Sequence, residues 1–239
     1  MDYHREIVKH CAEIQKCSQR GGRMLSVTDL VEAGTISVSM TAFLLKSISE
    51  GASFIVGAEP GGAGKTTVMC ALLNFLPLKT DIIHTGNGGG RRTSAVNRRR
   101  CFLCHEIGQG SYYSYLWGEK LLDFFKLKDS GNIIVSNLHA DTYGEARKQI
   151  CMDNPVPEKL FNELDILLFL KVTGRQRRIS AAYAKKGRAH VFLEERAFQP
   201  AENKELVPYI DFVEGMRRKK IRLMEEVRRC VVDFFLKTL

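Results

Sequence analysis

A glycine-rich turn between an apolar run and a helix-forming stretch constrains the fold of this chain most strongly. Residues 53–56 are largely apolar and predict a short buried strand, and residues 65–75 predict a helix. The turn and its flanks are Ala58-Glu59-Pro60-Gly61-Gly62-Ala63-Gly64-Lys65-Thr66-Thr67. A strand, a glycine-rich turn ending in Gly-Lys-Thr and a helix follow one another in phosphate-binding loops. This order therefore predicts a nucleotide-binding α/β core.

Each part of this turn suits a bound triphosphate. Its glycines let backbone amides point inward, where they join the N-terminus of the next helix in an anion cradle. Lys65 can place its ammonium on the β- and γ-phosphates, and the Thr66 hydroxyl can bind Mg²⁺. Glu59 stands where the consensus has its first glycine, so we expect its carboxylate to point away from the phosphates. ATP and Mg²⁺ are the predicted cofactors, and the predicted cofactor-binding residues are Gly61, Gly62, Ala63, Gly64, Lys65, Thr66 and Thr67.

Two later strands bring candidate catalytic residues to the same edge of the sheet. The apolar run 101–105 is followed by Glu106, and the apolar run 132–136 by a segment that contains His139. Ligands of open parallel sheets lie outside the carboxyl ends of the strands. We predict that Glu106 is the hydrolytic acid, holding Mg²⁺ through water or orienting the attacking water, and that His139 contacts the γ-phosphate or transmits its loss. The alternatives are a surface glutamate that ends a strand and a structural histidine.

The rest of the chain predicts three regions. Residues 1–50 form a short helical lead-in, and residues 51–200 form the core, where strands alternate with helices and imply a mainly parallel sheet with helices on both faces. Within the core we predict a helix over 112–126 and a hairpin around residues 185–187. Residues 201–239 form a basic amphipathic region, with one long helix over about 205–238.

Composition narrows the class of protein further. Lys and Arg number 36 against 27 Asp and Glu, so the formal charge of +9 predicts an anionic partner. No apolar run approaches the roughly 18–20 residues that span a bilayer, and the N-terminus lacks a signal-peptide pattern. We therefore expect a cytoplasmic protein.

The spacing Cys101-Phe102-Leu103-Cys104-His105 matches a haem attachment site. Because this stretch is an apolar run, we interpret its cysteines as small buried side chains, and zinc would need a second ligand pair.

Four stretches in order resemble the type II and type IV secretion ATPases, which include pilus and archaellum motors. Residues 25–37 are similar to the lead-in of the family's motor domain, residues 61–67 to its Walker A loop, residues 102–108 to its Walker B strand, and residues 135–142 to its histidine box. The resemblance implies a RecA-like core and a homohexamer that couples ATP hydrolysis to pilus or secretion machinery at the cytoplasmic face of a membrane. It gives Lys65 and Thr66 to phosphate and Mg²⁺, Glu106 to hydrolysis and His139 to γ-phosphate sensing.

The chain departs from that family's pattern in three places. Only about 20 residues precede the lead-in, so we expect the family's N-terminal domain to be lacking. Residues 85–99 replace a long segment with an acidic box and hold no Asp or Glu, and His105 stands where a small residue is usual. A nucleotide-dependent scaffold or regulator with little turnover is therefore the alternative to an ATP-hydrolysing motor.

Two basic stretches have open roles. Arg91, Arg92 and Arg98 lie in the loop that replaces the acidic box, and we expect that loop at the nucleotide edge or against a neighbouring subunit. One of them is a candidate arginine finger, and a solvated loop is the alternative. Residues 216–222 carry the second stretch, which could meet nucleic acid or acidic lipid or form a solvated helix face. Because aromatic residues do not interleave these runs, a nucleic-acid-binding ATPase is not favoured.

Overall fold

A mainly parallel sheet forms the centre of the molecule. The computed structural model describes residues 3–18, 21–59, 61–86, 98–110 and 115–238. The strands are β1 (Phe54–Gly57), β2 (Thr80–His84), β3 (Arg99–Ile107), β4 (Tyr115–Leu116), β5 (Ile133–Leu138), β6 (Ile166–Thr173), β7 (Gln176–Lys186) and β8 (Ala189–Phe192). Their order is β2-β3-β5-β1-β6-β7-β8, with β4 paired to β3. Neighbours from β2 to β6 are parallel, whereas β7 and β8 pair antiparallel.

Helices cover both faces of this sheet. They are α1 (Tyr3–Gln15), α2 (Val27–Glu32), α3 (Val38–Ser49), α4 (Lys65–Leu73), α5 (Glu119–Asp129), α6 (Tyr143–Cys151), α7 (Glu158–Phe161), α8 (Val207–Arg218) and α9 (Met224–Thr238). Apolar residues of α1–α4, α8 and α9 pack against one face, and those of α5–α7 against the other. The prediction of an α/β fold with a mainly parallel sheet flanked by helices is confirmed.

Local side-chain bonds explain where several helices begin. The Ser37 hydroxyl accepts a hydrogen bond from the amide of Met40, which fixes the start of α3. Thr142 and Glu145 form a capping box at the start of α6, directly after the carboxyl end of β5. The lead-in to the phosphate loop and the segment behind β5 are therefore held by their own polar residues.

The C-terminal region differs from the single long helix that the sequence predicts. It consists of α8 and α9, which are separated by residues 219–223. The amide of Ile221 donates to the carbonyl of Met216 and that of Lys220 to the carbonyl of Arg217, which is the bond pattern of a Schellman motif. Lys220 occupies the left-handed position of that motif with φ of 52°. Because lysine stands where glycine is usual, no breaker marks this end in the sequence.

The helix predicted over 112–126 also begins later. Within the described residues, Tyr115 and Leu116 pair with β3, and α5 starts at Glu119. Gly118, with φ of 61°, separates the two elements. The strands predicted over 53–56, 81–84, 100–105, 132–136 and 165–172 fall close to β1, β2, β3, β5 and β6, because each is a short apolar run.

Two expectations from composition can be compared with the fold. Cys101 and Cys104 are buried and belong to the apolar clusters on opposite faces of β3, as expected for small core side chains. In the described part of the chain, no helix is both long enough and apolar enough to cross a bilayer. The division at residues 50 and 200 stays a prediction, and apolar residues of α3 and α8 share one cluster with β1.

Candidate functional site

The phosphate loop joins the carboxyl end of β1 to the N-terminus of α4. Gly62 and Gly64 have φ of 79° and 101°, a conformation in which a side chain would be strained. Gly57, the last residue of β1, is needed for a different reason. A Cβ there would lie 2.6 Å from the carbonyl oxygen of Ala140 and 2.8 Å from Cδ1 of Phe169. Glycine therefore shapes the loop and lets the segment after β5 approach β1.

Three predicted site residues meet at the start of α4. The Lys65 ammonium donates to the carbonyl of Ala58 at 2.9 Å and lies 3.3 Å from Nδ1 of His139. Oε1 of Glu106 is 3.7 Å from Nζ of Lys65 and 3.8 Å from Nε2 of His139. Nδ1 of His139 also lies 3.1 Å from the carbonyl oxygen of Glu59. The sheet thus brings the ends of β1, β3 and β5 to one cluster of a cation, a carboxylate and an imidazole.

Glu106 occupies a buried place near the end of β3. The pairing between β3 and β5 shifts register between Cys104 and Ile107, and such irregularities re-aim side chains. Oε1 of Glu106 is buried without a hydrogen-bond partner among the residues that the structure describes. Burial raises the pKa of this carboxyl, although the Lys65 and His139 charges act in the opposite direction. Burial likewise lowers the pKa of Lys65, against the attraction of Glu106.

Thr66 lies beside this cluster in the first turn of α4, followed by Thr67. Nδ2 of Asn137 donates to the Thr66 hydroxyl at 3.2 Å and to the carbonyl of His105 at 2.9 Å. Oδ1 of Asn137 is buried and has no hydrogen-bond partner among the described residues. Mg²⁺ takes oxygen ligands and keeps several waters. The Thr66 hydroxyl and Oε1 of Glu106, which accepts no hydrogen bond from the described residues, fit that donor set, Thr66 as a direct ligand and Glu106 through water.

The structure adds two residues that the sequence does not single out. Oδ1 of Asp141 accepts a hydrogen bond from the amide of Glu59 at 2.7 Å, so this carboxylate holds the first turn of the phosphate loop. Arg177 of β7 lies over the loop from the other side, with Nε and one terminal nitrogen each 3.4 Å from the carbonyl oxygen of Gly62. Asp141 follows His139 by two residues, which could have indicated it. Arg177 is 115 positions from Gly62, and no local pattern marks it.

Of the three arginine-finger candidates, the structure describes Arg98, which does not join this cluster. Arg98 precedes β3 at the amino-terminal end of the strand, whereas Glu106 lies near the other end. Its guanidinium forms ion pairs with Glu6 of α1 and, at 3.0 Å, with Asp81 of β2. The expectation that Arg98 faces the nucleotide edge is therefore corrected within this chain. Arg91 and Arg92 lie outside the described residues.

The sheet order and this loop define an α/β protein with a glycine-rich loop between the central strand β1 and helix α4. Two solved structures are similar to parts of it. The VirB11 ATPase from the Brucella suis type IV secretion system, in complex with sulphate, is 20% identical, with a TM-score of 0.45 over 65% of this chain and 53% of that chain. The Legionella pneumophila ATPase DotB is 11% identical, with a TM-score of 0.41 over 80% of this chain and 63% of that chain.

The chain thus spans less than two thirds of either structure. No protein-family model and no curated protein matches it. Neither likeness assigns a role to any residue of this chain.

Proposed function

We propose that this protein binds ATP with Mg²⁺ and hydrolyses it as a motor-type ATPase of the RecA-like class. One observation carries the proposal: Lys65, Glu106 and His139 converge within 3.8 Å beside the phosphate loop, and Glu106 presents a buried oxygen that has no hydrogen-bond partner among the described residues. A cation, an anion cradle and an available carboxylate are what phosphoryl transfer to water requires.

Each residue has a distinct part in this proposal. Lys65 moves from the carbonyl of Ala58 to the β- and γ-phosphates, an exchange of one buried acceptor for a charged one. Glu106 orients the attacking water and accepts its proton, and the raised pKa of the buried carboxyl favours that proton transfer. His139 contacts the γ-phosphate and relays its loss to the backbone of Glu59. When bound, Mg²⁺ neutralises charge on the phosphate oxygens.

The assembly and its setting belong to the same proposal. The motif resemblance supports a homo-oligomer, a hexamer in the family, that works with secretion or pilus machinery on the cytoplasmic face of a membrane. Within one chain Arg98 pairs with Glu6 and Asp81 and lies away from the phosphate loop. In an oligomer, an arginine of one subunit could instead reach the nucleotide bound to its neighbour. Native mass, measured with and without ATP and Mg²⁺, tests this part directly.

Two substitutions test binding and turnover separately. Lys65→Ala should abolish ATP binding, because it removes the buried ammonium that the proposal places on the β- and γ-phosphates. Glu106→Gln should keep ATP binding and lower phosphate release by about 10²–10⁴-fold, the usual contribution of general base catalysis. Lys126→Ala serves as the control, since that side chain is 55% exposed on α5 and pairs only with Asp123 among the described residues.

The outcomes separate the candidate functions. Unchanged ATP affinity in Lys65→Ala would overturn the phosphate-loop assignment. Intact ATP binding with phosphate release at background rate in the unaltered protein would favour a nucleotide-dependent scaffold. ATPase activity that rises on addition of DNA or RNA, through binding that weakens steeply with salt, would favour a nucleic-acid-dependent ATPase.

A further inference from the structure

Two side-chain amides hold the backbone on either side of Glu106. Nδ2 of Asn137, on β5, donates to the carbonyl of His105 at 2.9 Å. Nε2 of Gln149, on α6, donates to the carbonyl of Ile107 at 3.2 Å. The pairing of β3 with β5 shifts register over this stretch, and buried carbonyls need donors wherever a ladder is irregular. The two amides supply such donors and so fix the chain around Glu106.

Asn137 differs from Gln149 because it also reaches the phosphate-loop helix. Its Nδ2 donates to the Thr66 hydroxyl at 3.2 Å. The side chain is fully buried, and β5 lies between β1 and β3 in the sheet. One amide nitrogen therefore joins the helix that follows the phosphate loop to the strand that carries Glu106.

The carbonyl of His105 determines which way the Asn137 amide points. A carbonyl oxygen can only accept a hydrogen bond, so the nitrogen end of the amide must face it. The reversed amide would place two oxygens against each other. Nδ2 carries two hydrogens, and the second is available to the Thr66 hydroxyl. This hydroxyl thus accepts a hydrogen bond at one of its two lone pairs.

Holding one lone pair of Thr66 restricts the direction of the other. A free hydroxyl rotates about its C–O bond, whereas one that accepts from a buried amide has a limited set of orientations. The second lone pair is the one that a direct Mg²⁺ ligand uses. Oδ1 of Asn137 is itself buried and has no hydrogen-bond partner among the described residues. An unsatisfied acceptor beside a metal ligand suits a water of hydrated Mg²⁺.

From these contacts we infer that Asn137 is a positioning residue, which orients the Thr66 hydroxyl for Mg²⁺ and links it to the backbone that carries Glu106. The inference rests on the proposed function and assigns a role in it to a residue that contacts neither the phosphate loop's glycines nor Lys65 in the described contacts. Removal of a group that orients a metal ligand typically lowers metal affinity by about 10–100-fold. The shared amide also makes the position of Glu106 depend on the state of Thr66.

The experiment compares ADP with Mg²⁺ and ADP with a chelator by titration calorimetry, so that no turnover is needed. Asn137→Leu has nearly the same shape and removes both donated hydrogen bonds. Asn137→Ser keeps one hydroxyl, whose single proton cannot serve both acceptors. Gln149→Leu is the matched control, because its amide holds the other carbonyl beside Glu106 and its described bonds do not include Thr66. Thermal unfolding without nucleotide establishes that each variant is folded.

The Mg²⁺ dependence of ADP affinity is the decisive quantity, because a purely structural role of the amide would not change it selectively. Both Asn137 variants should bind ADP with Mg²⁺ about tenfold more weakly than the unaltered protein and ADP with chelator equally well. Gln149→Leu should keep the full effect of Mg²⁺. If Asn137→Leu does not fold, Asn137→Ser decides the test.

The contrary outcomes distinguish this inference from the proposed function. A full effect of Mg²⁺ in a folded Asn137 variant, or the same loss in Gln149→Leu, would overturn the positioning role and leave the phosphate loop standing. An equal loss of ADP affinity with and without Mg²⁺ in the Asn137 variants would also overturn it. Failure of the unaltered protein to bind ADP under either condition would instead overturn the proposed function.

Discussion

Alanine at Gly57 would force apart two segments that meet at the phosphate loop. The added methyl would lie 2.6 Å from the carbonyl oxygen of Ala140 and 2.8 and 2.9 Å from two ring carbons of Phe169. Phe169 is fully buried, and its ring packs against Tyr183, so it has little room to turn. Relief must come from the backbone around Ala140, the neighbour of both His139 and Asp141.

The magnitude follows from these two contacts. Overpacking a core typically costs about 1–3 kcal/mol. Because the added methyl meets both the Ala140 carbonyl oxygen and the Phe169 ring, we expect Gly57→Ala to cost about 3 kcal/mol. In a domain of this size 1 kcal/mol lowers the melting temperature by about 2–4 °C, so the expected decrease is about 6–12 °C. ATP affinity should fall as well, because the displaced backbone carries the groups that contact Glu59.

Thermal unfolding and ATP titration check this prediction together. Gly144→Ala is the control, since a Cβ at that position in α6 meets nothing within 4 Å and alanine favours a helix. The control should melt at or slightly above the temperature of the unaltered protein. A Gly57→Ala variant that melts with the control and binds ATP normally would refute the close approach of β1 to Ala140.

Three further predictions concern residues away from the phosphates. Arg228→Met removes the donor to the buried carbonyls of Asn74 and Leu76, and urea unfolding should show a loss of about 2 kcal/mol; a loss under about 0.5 kcal/mol would contradict it. Lys220→Gly relieves the positive φ after α8 and should raise stability by about 0.5–1 kcal/mol, whereas a decrease would refute that strain. Burial lowers the pKa of His10, with Arg228 acting in the same direction, so the folded state keeps this imidazole neutral while the unfolded chain takes up a proton below about pH 6.5. Stability should therefore fall by about 1 kcal/mol between pH 7.5 and 5.5 through this group, and an equal fall in His10→Gln would contradict the assignment.

The parts of the site that lie in short local patterns could be predicted from the sequence. Lys65 follows a glycine-rich turn, and Glu106 and His139 follow apolar runs, so parallel strand order alone brings them to one edge. Their mutual distances support this placement. The same reasoning applies to Asp141, because it lies with His139 in the segment that follows β5.

Other features depend on contacts that no local pattern encodes. Arg177 reaches the phosphate loop because antiparallel pairing to β6 folds β7 back, and that pairing fixes which of the hairpin's arginines faces Gly62. Arg98 is kept at the other end of the sheet by Glu6 and Asp81, two acids from separate elements. The break after α8 depends on a lysine in a left-handed conformation, which propensity assigns to glycine.

Helix α4, which begins at the phosphate loop, is hydrogen-bonded at its C-terminal end by residues of both α1 and α9. His10 of α1 donates to the carbonyl of Leu73, and Arg228 of α9 donates to the carbonyls that follow it, at Asn74 and Leu76. These two helices also contact each other. A displacement of α4 along its own axis would therefore move α1 and α9 together. Nucleotide binding at one end of α4 would then change the position of these two helices, which a partner molecule could contact.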